Sequence, residues 1–373
     1  MNKLPYGYEI IGLLERLAPK HLAMEGDRIG LQIGTLNKPV KKVMVALDVL
    51  EEVIDEAITE GVDFIIAHHP PLYRPLKQLV TDQAQGRMIE KCLKHNIAIY
   101  AAHTNLDIAN GGVNDWLAEA LGLEQVEVLV PTYEESLKKL VVYVPKTHAD
   151  LVREAIGNAG AGHIGNYSHC TFNGHGIGTF LPLEGANPFI GKAGELEKVE
   201  EVRIETIVPA SLQHKVISAM LQAHPYEEVA YDIYPLENKG KTFGLGRIGR
   251  LPSAMTLAEF AEHVKKTLDV SAVRVVGNLQ DTIQKVAVVG GDGNKYISQA
   301  KSAGADVYVT GDVYYHVAHD AMMLGLNIVD PGHNVEKVMK QGVARFLEAE
   351  FAKRQFAADV YISKVHTDPF TFV

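Results

Sequence analysis

Cysteine is almost missing from this chain: Cys92 and Cys170 are the only two among 373 residues, which excludes a disulfide framework and a CxxC-type metal site. A basic surplus is missing as well. The chain carries 36 Lys and Arg against 46 Asp and Glu, a formal net charge of −10 with a pI of about 5.9, which disfavours an extended nucleic-acid or anionic-membrane surface. No run of eighteen apolar residues offers a membrane span, and MNKLPYGYEIIGLLERLAPK lacks an apolar stretch before a small-residue cleavage site. The chain is therefore expected to be an unprocessed protein of the reducing cytoplasm. A Gly-x-Ser-x-Gly elbow is absent, so nothing points to covalent acyl transfer. The GGDG run at Gly290 to Gly293 lacks the Lys-Ser/Thr of a P-loop and the spacing of a dinucleotide fingerprint, leaving it a weak phosphate cradle.

What is present is apolar, at 47% hydrophobic residues, and long enough for two or three domains with real cores. Val43 to Leu47 reads as a buried strand, followed by an amphipathic helix ending near Gly61 and a second buried strand, Phe64 to Ala67, that delivers His68 and His69. Strands apolar on both faces belong in a parallel or mixed sheet covered by helices. The same plan recurs: Val43 to Gly61 matches Val286 to Gly304, Asp63 matches Asp306, and His68 and His69 fall opposite Gly311 and Asp312. NIAIYAAHTNLD likewise resembles LNIVDPGHNVE, an apolar strand followed by His and then an acid. Two related α/β lobes are expected, with a site where their strand ends converge.

Between them, from about Leu129 to Leu236, the order strand, helix, one or two strands, strand, helix, strand predicts an inserted ferredoxin-like α+β domain. The division expected is 1–128, first lobe; 129–238, insertion; 239–373, second lobe. The insertion's glycines and aromatics are read as turns and core in preference to a ligand loop. Tyr226, Glu227 and Glu228 are read as a loop leading into a strand in preference to a second site.

Four strand ends bring together His68 with His69, His103 with Asp107, Asp312, and His333 with Glu336. Imidazoles and carboxylates without thiolates form the nitrogen and oxygen set that zinc, manganese or iron accepts. They are too many for one catalytic ion that keeps an open position and suit two ions sharing a carboxylate. The turn at Pro70 and Pro71 lets the two consecutive histidines serve different ions. His316 and His319 either face the same pocket from one helix or are solvated, and His95 is structural.

At IIAHHPPLY, AAHTNLDIANGGVNDWL, GRIGRL, VTGDVYYH and PGHNVEK the chain resembles the Nif-three-like family, often labelled GTP cyclohydrolase 1 type 2 homologs, and in particular its long bacterial YqfO-like branch. The resemblance spans the whole chain, including NPFIG and HPYEEVAYDIYPL in the insertion. It implies a two-lobed core with two divalent ions, a toroidal homohexamer, and an insertion similar to PII and CutA proteins. Carried over position by position, the metal ligands are His68, His69, Asp107, His333 and Glu336, with Glu336 bridging. His103 becomes a near-site residue, a hydrogen-bond partner or proton shuttle in catalysis. Many relatives have His-x-x-x-acid where this chain has His-x-x-Glu. The function implied is a metal-dependent hydrolase of a small nucleotide-like or phosphorylated substrate. The alternative is a metal-containing ring with a regulatory or scaffold role, the insertion acting as sensor or gate. Neither involves a membrane, and nucleic acid fits the acidity poorly.

Overall fold

The computed structural model describes residues 3–373. It falls into two units, one made of the residues up to Tyr133 with Phe243–Val373, the other of Glu134–Thr242. Strands are numbered in chain order.

One sheet of the first unit holds β1 (Gly30–Ile33), β2 (Lys42–Ala46), β3 (Phe64–Ala67), β4 (Ala98–Ala101) and β13 (Asp359–Ile362), in the order β1-β4-β3-β2-β13. β13, β2, β3 and β4 run parallel and β1 is antiparallel to β4. The unit's other sheet runs β8-β10-β11-β12-β9, from β8 (Tyr231–Thr256), β9 (Arg274–Val276), β10 (Thr282–Asp292), β11 (Val307–Gly311) and β12 (Asn327–Asp330). Its three middle strands are parallel, and β8 and β9 close it antiparallel.

Both faces of the central strands are buried, and the period of two sorts their side chains. Val43, Val45, Phe64, Ile66 and Tyr100 join one central cluster with Val286, Val288, Val307, Val309 and Val329 of the other sheet. Phe260 of helix Leu257–Thr267 and Val343 and Leu347 of helix Val338–Arg354 complete it. Met44, Ile65 and Ile99 turn the opposite way, onto helices Glu51–Thr59 and Ala84–Lys94. Each large apolar side chain sequestered in this manner contributes about 1.5–3 kcal/mol.

The sequence repeat is visible bond for bond. Asp63 Oδ2 accepts from the Lys41 and Lys42 amides at 2.7 and 3.2 Å, and Asp306 Oδ2 from those of Gln284 and Lys285 at 3.0 and 2.7 Å. Lys42 Nζ donates to the Glu60 carbonyl and Lys285 Nζ to that of Ala303, both at 2.7 Å.

The chain leaves the first unit within β5 (Glu124–Pro145) and returns within β8. In the second unit β5 is followed by helix Ala149–Asn158, β6 (Phe172–Phe180), β7 (Glu197–Pro209), helix Gln213–Ala223 and β8, with sheet order β6-β7-β5-β8. Leu140, Val142, Ile204, Val152, Ile156, Val216 and Met220 form its own core. Among the described residues no helix is long and apolar enough to cross a membrane.

Candidate metal centre

β3 hands its pairing with β2 past its own end: the His68 amide donates to the Ala46 carbonyl at 3.1 Å and the His69 amide to that of Leu47 at 2.9 Å. Both imidazoles are thereby fixed before Pro70 stops the ladder. His68 is fully buried, and its Nδ1 lies 2.8 Å from the Ala102 carbonyl. Nδ1 therefore carries a proton, and the neutral ring presents a lone pair at Nε2. His69 Nδ1 is 2.6 Å from Asp48 Oδ1, just beyond β2. Beyond β4, His103 Nδ1 meets Asp27 Oδ1 at 2.9 Å, and the short helix Thr104–Ile108 carries the buried Asp107. From the other sheet, the turn after β12 passes through Gly332 at φ 85° into His333 and Glu336. His333 Nδ1 lies 2.6 Å from Asp312 Oδ2.

Each of the four imidazoles thus engages an oxygen with Nδ1 and turns Nε2 inward, three of them backed by carboxylates. An oxygen behind each ring, fixing tautomer and direction, is how proteins hold metal-ligating histidines. Glu336 Oε2 sits among the inward nitrogens, 3.0 Å from His69 Nε2, 3.2 Å from His333 Nε2 and 3.7 Å from His68 Nε2. Burial pushes the Glu336 carboxyl up, but hydrogen bonds from His333 and His69 outweigh it and hold it well below the usual range. Burial pulls His69 down, yet Asp48 and Glu336 raise it to about 10. His333 is raised to about 9, chiefly by its bond to Glu336. His68 also ends raised: burial lowers it, and the charges of Asp107 and Glu336 overcome that.

His68 Nε2 and Asp107 Oδ1 face each other across 3.4 Å, both buried and neither with a hydrogen-bond partner. Orphaned buried polar atoms cost about 1–3 kcal/mol each. A lone pair and a carboxylate oxygen left bare side by side fit a divalent cation. Among the described residues, three groups of possible ligand atoms each lie within 4.8 Å of one another: His68, His69 and His103; His69, His333 and Glu336; His68, Asp107 and Glu336. The donor set, histidine and carboxylate without thiolate, suits zinc, manganese or iron.

The residues singled out in the sequence therefore converge, His103 among the inward-facing ligand atoms. Asp312 belongs to none of the three groups and instead orients His333. His316 and His319 are exposed on helix Tyr315–Leu324, where both rings pack edge-on to Tyr315, outside these groups. The GGDG run is part of the centre's wall: a Cβ on Gly291, which has φ +62°, would stand 2.7 Å from Glu336 Oε1 and 3.1 Å from His333 Nε2. It leads into a 3-10 turn, Asn294–Tyr296, and a six-residue helix, Ile297–Ser302, too short for a helix-dipole anion site. Sequence reasoning missed Asp27, Asp48 and Asn114. Asp48 carried a weak signal as the acid two residues beyond the end of β2. Asn114 had none, although it binds both halves, donating to the Asp107 carbonyl and accepting from the Gly290 amide at 2.9 Å each.

A model of the Duf34/NIF3 (NGG1p interacting factor 3) family matches residues 6–369. A Bacillus subtilis protein named GTP cyclohydrolase 1 type 2 homolog is 63% identical over 373 residues, covering 100% of both chains. Among solved structures, a Bacillus cereus protein described as related to NIF3 aligns with TM-score 0.95 and 67% identity over 100% of both chains. A Staphylococcus aureus protein aligns with TM-score 0.78 and 31% identity over 99% of each.

Proposed function

This chain belongs to the Duf34/NIF3 family, and from that premise we propose that it holds two divalent ions and hydrolyses a small phosphorylated or nucleotide-like substrate. One observation carries the proposal: the buried, partnerless pair His68 Nε2 and Asp107 Oδ1 beside a carboxylate shared by three imidazoles. His68, Asp107 and Glu336 would hold one ion, and His69, His333 and Glu336 the other, with Glu336 common to both groups. Bound there, the ions would polarise a water and orient an oxygen of the substrate. His103, its Nδ1 proton directed at Asp27, keeps Nε2 free to accept a proton within the centre and is the group we assign to proton transfer. The GTP cyclohydrolase name of the relatives enters this proposal only as a substrate class.

The same proposal assigns 1–128 and 239–373 to the two lobes of a Nif-three-like core and 129–238 to a ferredoxin-like insertion of PII/CutA type. Its support is the βαββαβ order and the sheet order β6-β7-β5-β8, with the first strand central beside the third and the second and fourth at the edges. A cytoplasmic homohexamer completes it, and sedimentation returning a monomer would remove that part. The central test is metal content by plasma mass spectrometry on protein purified without chelating resin. Near two ions per parent chain are expected, falling in His68→Ala, Asp107→Ala and Glu336→Ala. Full occupancy in the two carboxylate variants overturns the assignment.

A further inference from the structure

The unit Glu134–Thr242 contains a cavity of about 470 Å³ that the metal centre does not use. Its size is that of a small-molecule site. Two segments prominent in the sequence meet at it, NPFIG and HPYEE. The Asn187 amide donates to Glu227 Oε1 at 2.9 Å, which ties the loop carrying Phe189 to the loop carrying Tyr226.

Tyr143, Phe180, Phe189 and Tyr226 line the cavity, and of these Phe180 and Phe189 each pack on Tyr226. Phe180 stands edge-on to Tyr226 with centroids 5.8 Å apart and planes at 64°, and Phe189 is tilted 53° to Tyr226 at 6.4 Å. Tyr226 is held in place from several sides: its hydroxyl donates to Glu201 Oε1 at 3.0 Å, its amide to His224 Nδ1 at 3.1 Å, and its ring packs on His224 at 5.1 Å. The Glu201 carboxylate lies across the bare backbone of Gly178, where a Cβ would come within 2.1 Å of Glu201 Oε2. Any larger residue at 178 would displace it.

The charge of the lining has one sign. Glu201, Glu227 and Glu228 contribute to it, and among the described residues no Lys, Arg or His does. The lining therefore offers a phosphate or carboxylate ligand no cationic side chain to pair with. Aromatic faces set at steep angles, with carboxylates at the margin, attract a cation that sheds water easily. A compact, strongly hydrated metal ion fits poorly, and none of the three metal-capable groups among the described residues includes these glutamates.

We propose that this cavity binds a small organic cation, an alkylated ammonium group on an apolar body, seated against Phe180, Phe189 and Tyr226 and neutralised by Glu201 and Glu227. The site stands independently of the metal centre and gives the inserted unit a ligand of its own.

The test compares choline with its neutral isostere 3,3-dimethylbutan-1-ol, titrated calorimetrically into the full-length protein. Choline should bind saturably and the isostere about tenfold more weakly or less. Phe189→Leu keeps apolar bulk and removes the ring at a half-exposed position, so the chain should melt with the parent while choline binding falls about tenfold. Glu227→Gln keeps an acceptor for the Asn187 amide and removes the charge, and should weaken choline several-fold with the isostere unchanged. Equal binding of the two probes, binding of neither, or choline affinity untouched by both substitutions would each overturn the proposal.

Discussion

Arg247, the first arginine of GRIGRL, is 2% exposed, and replacing it by lysine should destabilise the first unit far beyond an ordinary conservative change. Its guanidinium meets Asp115 in a fork, Nε to Oδ1 at 2.8 Å and Nη2 to Oδ2 at 2.6 Å. The remaining donors reach the carbonyls of Gly244, Gly246 and Ala109 at 2.9, 2.8 and 3.0 Å. Lysine keeps the charge but gathers its three donors at one point, so at least two of these five bonds are lost. Each buried carbonyl left without a donor costs about 1–3 kcal/mol, which sums to about 2–6 kcal/mol, a large share of a domain's total stability. Arg247→Met, which removes all five bonds and leaves Asp115 without its cationic partner, should cost more and yield little folded protein.

The assay is supplied by the chain's single tryptophan. Trp116 follows Asp115 on helix Val113–Ala120 and packs so closely on Gly342 that a Cβ there would lie 2.3 Å from the indole. Urea unfolding followed by Trp116 fluorescence therefore reports on the unit that Arg247 clamps. The consequence reaches the candidate metal centre, because Asn114 of the same helix holds the Asp107 carbonyl and the Gly290 amide. An Arg247→Lys protein unfolding within about 0.5 kcal/mol of the parent, the range of an uninvolved surface change, would refute this account of the clamp.

Three further outcomes are expected. Asp48→Asn removes the charge behind His69 and should weaken divalent-ion binding about 10–100-fold in competition with a chromogenic chelator; parental affinity would show that Asp48 does not support the ring. Gly291→Ala forces a left-handed backbone on alanine, at about 1–2 kcal/mol, and drives a Cβ against Glu336 and His333; the purified variant should melt lower and retain less metal, and parental values for both would contradict the packing. In the second unit, neutral His224 donates from Nε2 to the Tyr143 carbonyl and accepts at Nδ1 from the Tyr226 amide. Burial depresses its pKa, with His148 adding to the effect. The unfolded chain therefore takes up the proton first, and His224's contribution to stability should be constant above about pH 6.5 and decline as pH falls below it toward the depressed folded value. Denaturant melts showing the same decline in His224→Gln would assign the slope elsewhere.

What the sequence disclosed was whatever periodicity and strand ends encode. VMVA and FIIA read as strands because both faces are buried, and the expected Val43 to Leu47 differs by one residue at each end from Lys42–Ala46. The offset of 243 between Asp63 and Asp306 was readable because both acids repeat the same two amide contacts. The oxygens behind the histidines were not readable. Asp27 lies 76 residues from His103, and only the folded chain brings them together. Gly290 and Gly291 suggested a phosphate loop because their neighbour, Glu336, is remote in sequence; their small size serves that carboxylate.

The two halves repeat their backbone but divide the chemistry. At the offset of 243, His68 and His69 correspond to Gly311 and Asp312, and Asp48 to Gly291. Sterics make the substitutions one-directional: a Cβ on Gly311 would lie 2.8 Å from the His333 amide nitrogen and from the Gly332 carbonyl carbon, so no imidazole fits where the first half places His68. The acids keep their register, since Asp107 follows the last residue of β4 by six positions and Glu336 follows the last residue of β12 by six. Only the histidine moves: His333 comes three residues before its acid and His103 four, and this extra step lets His333 present Nε2 to Glu336 while Asp312, standing where the first half has His69, takes its Nδ1. Both groups that contain a carboxylate draw on Glu336 together with a first-half histidine. The candidate centre is accordingly built jointly by both halves, and a lesion at the strand ends of either half should lower the metal the chain retains.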